Sequence, residues 1–507
     1  MRFADIGVAL AFTALATTAW AQTPARPSCE QLSTLTLAGG AKVTAAQTVA
    51  AGAFTPPNPA NAKPYGELPA FCRVTAEATR PNDTAVKVEV WLPTPTAWTG
   101  EFQPAASGFA GGTIGYGGMR AILGKGIATA NTNRGHDGGG PWKAADLAAL
   151  PYNLMVEHAK AIVSSYYGGG PKLTFMDECG GSGSRDLLQV LQHFPAGLDA
   201  AVAEGIIYRP TRHGVSQMWA YQASHPNGTS VLPPATLALL RNGALKACDA
   251  KDGLTDGVIS DPPRCAFDPA VLECRSNADP ASCLTAEQVA AAKMMYSVPR
   301  DPRTKKELYP RFVPGGELGW QPLVSGPNPY PYAMLWYRNV VMQDPTWTPA
   351  TRPVTFTDDL DKGDALAAAI DANDPKIGPF LKRGGKLLII GGWNDDLPPE
   401  GNVEYYTDVV KAVGQDLASR SVRLFMVPGM HHCLGEEFAT NATTDFDAVA
   451  AVKAWKAGGP APEQIVVTQT EKDGKKSKQL VCAYPRVAHY SGKGDPQDMA
   501  NFSCRTP

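Results

Sequence analysis

The sequence predicts an α/β protein whose largely parallel sheet is interrupted by one long insertion, and three observations lead there. Two apolar runs of the buried parallel-strand kind, Lys386–Gly392 and Val422–Val427, stand in the last quarter of the chain. Far upstream, Leu173-Thr174-Phe175-Met176 reads as a strand that runs into a glycine turn and then a helical pattern over 185–193. Between them, residues 209–375 lose that rhythm and are rich in proline, tryptophan and acidic loops. The expected division is a core of 22–208 and 376–507 carrying an inserted lid of 209–375.

The other elements follow in order. The region up to Pro69 is rich in Ala, Pro and Thr and reads as loops leading into a sheet. Val86-Lys87-Val88-Glu89-Val90 alternates apolar and polar residues, the mark of a half-buried strand. A glycine-dense loop, 107–118, precedes a short strand candidate at 126–132. Leu154, Ala159, Ile162 and Val163 give 150–167 helical spacing, and a further helix is expected around 403–413.

With 507 residues the chain fits one large domain with an insertion, or two to three domains. Its 46 basic and 48 acidic residues speak against a nucleic-acid or polybasic membrane partner and favour a small-molecule substrate. Residues 1–21 read as a signal peptide: Arg2, an apolar run from Ile6 to Leu15, and Ala19-Trp20-Ala21 with cleavage after Ala21. That run is too short to span a bilayer, so an exported protein is expected, periplasmic or secreted.

Export makes disulfides the default for ten cysteines. Spacing pairs Cys248 with Cys265, Cys274 with Cys283, and Cys482 with Cys504, and leaves Cys29, Cys72, Cys179 and Cys433 unassigned. A zinc reading is poor, because no CxxC pair exists and the histidines are scattered.

Three polar residues sit where strands end. Ser182 lies in Gly180-Gly181-Ser182-Gly183-Ser184, a variant of the G-x-S-x-G elbow; Asp395 follows the first apolar run and His432 the second. The order Ser, Asp, His is that of an α/β-hydrolase. Ser182 would attack, His432 would act as base and then acid, and Asp395 would orient the imidazole. The N–H groups of Gly183 and of Gly108, in the Ser107-Gly108-Phe109 loop, would stabilise the oxyanion.

A second constellation is Cys248-Asp249-Ala250-Lys251-Asp252-Gly253-Leu254-Thr255-Asp256-Gly257-Val258. The carboxylates of Asp249, Asp252 and Asp256, with the carbonyls of Leu254 and Val258, are hard oxygen donors of the kind Ca²⁺ takes. The spacing is not that of an EF-hand, and the expected role is structural.

These residues together resemble the tannase and feruloyl esterase family, which includes the hydrolase of mono(2-hydroxyethyl) terephthalate. The resemblance covers nearly the whole mature chain through Trp98-Thr99-Gly100-Glu101-Phe102-Gln103, Ala130-Asn131-Thr132 and Tyr166-Tyr167-Gly168. It continues through the Cys248 loop, Gly392-Trp393-Asn394-Asp395, and Val427-Pro428-Gly429-Met430 with His432-Cys433. It implies an α/β-hydrolase core, a lid bearing structural Ca²⁺, and hydrolysis of esters of phenolic or other aromatic acids. It also implies the pairings Cys29 with Cys72 and Cys179 with Cys433.

In one place the chain departs from the family pattern Gly-Cys-Ser-x-Gly-Gly-Arg. Cys179 is followed by Gly180, and the stretch from Cys179 to Arg185 is one residue longer. Ser182 is then a displaced nucleophile; the alternative is a non-hydrolytic member, a binding protein for aromatic compounds or a lyase or isomerase using His432. The lid aromatics Trp320, Tyr330, Tyr332, Trp336 and Tyr337 are candidates to pack on an aromatic ring or to form the lid's own core.

Overall fold

The computed structural model describes residues 1, 26–57, 65–80, 85–106, 111–136, 142–279, 281–436 and 442–507, except the side chain of Ser182. Residues 2–21 of the expected signal peptide, and Gly108, lie outside them. Nine strands form the main sheet: β1 (Lys42–Val49), β2 (Phe71–Ala78), β3 (Val86–Pro93), β4 (Glu101–Pro104), β5 (Ala128–Thr132), β6 (Leu173–Cys179), β7 (Ala200–Glu204), β8 (Lys386–Gly392) and β9 (Val422–Val427). Their spatial order is β1-β2-β3-β5-β4-β6-β7-β8-β9. The first three and the β3–β5 pair run antiparallel, and every pair from β5 through β4 to β9 is parallel.

Side chains of a strand alternate between faces, so each buried strand feeds two cores. Leu387 and Ile389 of β8 join a cluster with Tyr152, Met155, Ile162, Leu187, Leu191, Tyr405 and Val409 from the helices Ala149–Tyr167, Gly180–His193 and Glu400–Val413. Leu388 and Ile390 point to the other face, where Met119 and Leu123 of Tyr116–Leu123 and Val452 of Ala448–Lys456 cover them. Helices on both faces of a parallel sheet make the α/β-hydrolase arrangement.

Two expectations change. The region read as loops before Pro69 contains β1, a mostly exposed edge strand whose sequence KVTAAQTV lacks a clear apolar alternation. The strand expected to be half-buried, β3, is buried at every residue except Lys87, because it lies inside a sheet covered on both faces. Its Glu89 is accommodated by Arg73, at 2.7 Å, and by the indole N–H of Trp91, also at 2.7 Å.

No strand of the main sheet falls within 209–375. That segment carries its own apolar clusters, one around Trp320, Leu237 and Phe312 and one around Trp336, Tyr337 and Trp347. Three of the nominated aromatics, Trp320, Trp336 and Tyr337, are thus core residues of the insertion. Disulfides join Cys29–Cys72, Cys179–Cys433, Cys248–Cys265, Cys274–Cys283 and Cys482–Cys504. No helix among the described residues is long and apolar enough to cross a membrane.

Candidate active site

The C-terminal ends of β6, β8 and β9 converge. β6 ends at Cys179 and the helix Gly180–His193 starts at the next residue, so the chain reverses at Gly180, whose φ of 66° lies in the left-handed region that glycine adopts without strain. Beyond β9, the turn at Pro428-Gly429 brings His432 back over this elbow. The disulfide between Cys179 and Cys433, with Cα atoms 6.0 Å apart, fixes one turn to the other.

The imidazole of His432 lies in a slot bounded by two glycines. A Cβ on Gly180 would be 2.5 Å from Nε2, and one on Gly205 would be 2.8 Å from Nδ1. On the remaining side, Nδ1 donates to the carboxylate of Asp395, at 3.0 and 3.1 Å, and the backbone N–H of Leu397 donates to the same carboxylate at 2.9 Å. Two backbone bonds hold the acid turn against the base turn: Trp393 N to Val427 O at 2.9 Å and Asn394 N to Met430 O at 3.0 Å. Burial works against a charged imidazole, but the charge and hydrogen bond of Asp395 outweigh it and raise His432 to about 9.

Gly180 therefore holds the position that faces the base. The backbone of Ser182 lies in the first turn of the helix, and its side chain is outside the described atoms. Ser184 is fully buried; its hydroxyl donates to Gly180 O at 2.6 Å and accepts from Ile207 N at 3.2 Å. Gly183 faces away from the imidazole, since a Cβ there would meet Oε2 of Glu178 at 2.9 Å.

Several contributors carried no signal that sequence reasoning used. Glu178 accepts from Ala106 N at 2.8 Å, and Asn131 reaches Ala105 O, Ala106 O and Gly115 N, so both flanks of the glycine-dense loop are pinned. Arg134 and Arg185, both fully buried, share the carboxylate of Asp186 and tie the elbow helix to the end of β5. His213 lies near His432; burial drives it down to about 3, so it stays neutral. Tyr332 packs its ring 4.9 Å from His213, and the Tyr330 phenol is pushed up to about 12 by burial and by the charges of Asp396 and Asp395.

Asp396 is the most unusual neighbour. It is 1% exposed, and a carboxyl oxygen of it lies with Asp395 and His432 in a group whose ligand atoms are within 4.8 Å of one another. Burial, and then the charge of Asp395, push its carboxyl well above the ordinary range. A neutral acid thus lies beside the charged partner of the histidine. The Asp-Asp doublet was visible in the sequence, but nothing local distinguished a buried second acid from a solvated one.

In the proposed calcium loop, Asp249 accepts from Asp256 N and Gly257 N, Asp252 from Leu254 N and the Ser260 hydroxyl, and Asp256 from Val258 N. No Lys or Arg pairs with these three carboxylates among the described residues, and Asp256 is raised to about 6 by burial and by the charges of Asp252 and Asp249. Unneutralised like charges on a hard oxygen donor set fit a divalent cation. The three carboxylates form no group within 4.8 Å of one another, so a bound ion would have to draw them together.

Comparisons with known proteins agree with this architecture. The family model described as tannase and feruloyl esterase matches residues 72–505. An esterase of Xanthomonas campestris pv. campestris, named only as uncharacterized, is 30% identical over 97% of this chain and 93% of its own length. A probable feruloyl esterase B of Emericella nidulans is 28% identical over 86% of each chain. Among solved structures, feruloyl esterase B of Aspergillus oryzae superposes with a TM-score of 0.79 at 24% identity, covering 94% of this chain and 99% of that one. Tannin acyl hydrolase of Aspergillus niger gives 0.71 at 17% identity, covering 92% of each. Likeness at these identities establishes the shared fold.

Proposed function

The chain belongs to the tannase and feruloyl esterase family and is a carboxylic ester hydrolase, and from that premise we propose that it acts on esters of phenolic or other aromatic acids. The observation that carries the chemistry is the His432–Asp395 pair at 3.0 Å, with Nε2 directed at the elbow. In this reading Asp395 orients the imidazole and stabilises its charged form, while Nε2 accepts a proton from the attacking hydroxyl and returns it to the leaving oxygen.

Two hydroxyl sources are compatible with the base. The sequence nominates Ser182, which would form an acyl-enzyme with Gly183 and Gly108 as oxyanion donors. The glycine at the position facing His432 favours a second source, water. Nε2 would take one water proton, the hydroxide oxygen would bond to the carbonyl carbon, and collapse of the tetrahedral adduct would break the ester C–O bond. The departing oxygen would then receive the proton from His432, leaving free acid and alcohol. The Gly181 N–H follows Gly180 in the chain and would be the oxyanion donor on that route.

Export of the chain after removal of 1–21 is part of the same reading, supported by five disulfides. So is a structural Ca²⁺ held by Asp249, Asp252 and Asp256 with the Leu254 and Val258 carbonyls, which would draw these carboxylates together and neutralise them.

A panel of aryl and alkyl esters assayed with wild type, Ser182→Ala and His432→Ala tests this. Loss in His432→Ala with activity retained in Ser182→Ala supports water as nucleophile. Loss in both supports the displaced serine, and no turnover of any aromatic-acid ester by wild type rejects the substrate class.

A further inference from the structure

The inserted lid touches the core at the residue immediately before the acid and the residue immediately before the base. Asn394, which precedes Asp395 and is 9% exposed, donates from Nδ2 to Gly315 O at 2.9 Å. Its own backbone N–H reaches Met430 O, at 3.0 Å, in the turn that leads to His432. One side chain and one peptide group thus join three segments that are far apart in sequence.

The lid segment 315–319 is shaped for this contact. A Cβ on Gly316 would be 3.1 Å from Cα of Asn394, and one on Gly319 would be 2.8 Å from Asn394 O and 3.1 Å from Nδ1 of His431. Only bare backbone brings the lid this close to both turns. Gly315 has a φ of 104°, and its N–H donates to both carboxylate oxygens of Glu317, at 2.9 and 3.0 Å. Glu317 is fully buried and also accepts the Tyr296 hydroxyl at 2.6 Å, which fixes the peptide immediately before the one whose carbonyl Asn394 holds.

The same segment is seated from the calcium-loop side. A Cβ on Gly315 would lie 3.2 Å from Ile259, and Val258 lies 3.5 Å from where a Cβ on Gly429 would stand. Lid, acid turn and base turn are therefore in mutual backbone-level contact around Asn394.

We infer that Asn394 is a positioning residue that clasps the inserted segment to the acid and base turns, so that the seating of 315–319 and the alignment of His432 with Asp395 depend on each other. This rests on the hydrolase reading for its consequence in turnover, not for the clasp itself. Loss of the clasp displaces the pair's supports by a fraction of an ångström to an ångström, a shift that can cost on the order of 10- to 100-fold in rate.

Asn394→Leu keeps the branching of the side chain and removes the donor. The expected result is a kcat lowered about 10-fold or more with KM within about threefold, partial recovery in Asn394→Gln, and a pH profile whose ascending limb moves because His432 is less well held. Hydrogen exchange of the 315–319 amides should accelerate in Asn394→Leu and in the lid-side variant Gly319→Ala, and this arm reads the clasp without any substrate. Unchanged exchange in both variants, or unchanged kcat in Asn394→Leu with an active wild type, overturns the proposal. A wild type that turns over no ester while exchange accelerates in the variants rejects the hydrolytic reading and leaves the clasp standing.

Discussion

Gly180 lies directly beneath the imidazole of His432, so near that a Cβ there would be 2.5 Å from Nε2. The ring occupies space that a side chain on the elbow would need. Substituting Gly180 by Ala should push the imidazole off Asp395 and place a Cβ at a φ of 66°, where non-glycine residues are strained by roughly 1–3 kcal/mol. We expect ester turnover to fall about 10-fold or more and thermal stability to drop. Unchanged kcat in Gly180→Ala would show that the ring has room to move.

The His432 base works only when neutral, and Asp395 holds it protonated to about pH 9. The expected kcat/KM therefore rises with pH toward that value. The sign for stability is opposite: a histidine raised from 6.5 in the folded chain contributes stability that is complete below 6.5 and lost as pH climbs through about 9. A pH–rate profile that is already flat at pH 7 would contradict the ion pair.

Asp396 is raised by burial and by Asp395, so its contribution to stability is present at low pH and lost as pH rises through its folded value. Asparagine mimics the neutral acid. Asp396→Asn should match wild type in melting temperature near pH 4 and exceed it near pH 8; a variant less stable than wild type at pH 8 would mean that the ionised carboxylate is the form the fold uses.

The Cys179–Cys433 bond closes a separation of 254 residues and also joins the elbow to the base turn. Replacing both cysteines by serine should cost on the order of 4 kcal/mol in stability and reduce turnover at temperatures where the variant is folded. The Cys29–Cys72 pair, remote from the three strand ends, should affect stability alone. Equal effects of the two double variants on kcat would refute a role for the first bond in placing His432.

For the lid loop, chelation is expected to lower the melting temperature, with calcium restoring it in proportion to its concentration. A metal-free protein by elemental analysis whose transition is indifferent to added calcium would remove the proposed ion and leave Asp249 and Asp252 as turn-forming acceptors.

Much of this molecule could be read from short stretches. The runs Lys386–Gly392 and Val422–Val427 are strands because seven and six residues with few charges can only be buried, and β8 and β9 are where they were expected. β1 was missed because an exposed edge strand has no apolar face to betray it. The helix after the elbow was recognised at 185–193 but begins at Gly180, since Gly180-Gly181-Ser182-Gly183 has poor intrinsic helix propensity and is helical only because the sheet and the flanking strand hold it there. Glu178 and Asn394 were passed over for the same kind of reason: their roles are contacts with segments remote in the chain.

The sequence by itself determined the fold class, the strand ends that carry an acid and a base, and the family, because apolar runs, glycine turns and short motifs are local signals. The tertiary structure decided which residue of the elbow faces His432, that Asp396 is buried beside Asp395, and that the segment 315–319 bears on Asn394. Those outcomes depend on where a helix starts relative to a strand end and on how three turns pack, and such distances exist only once the chain has folded.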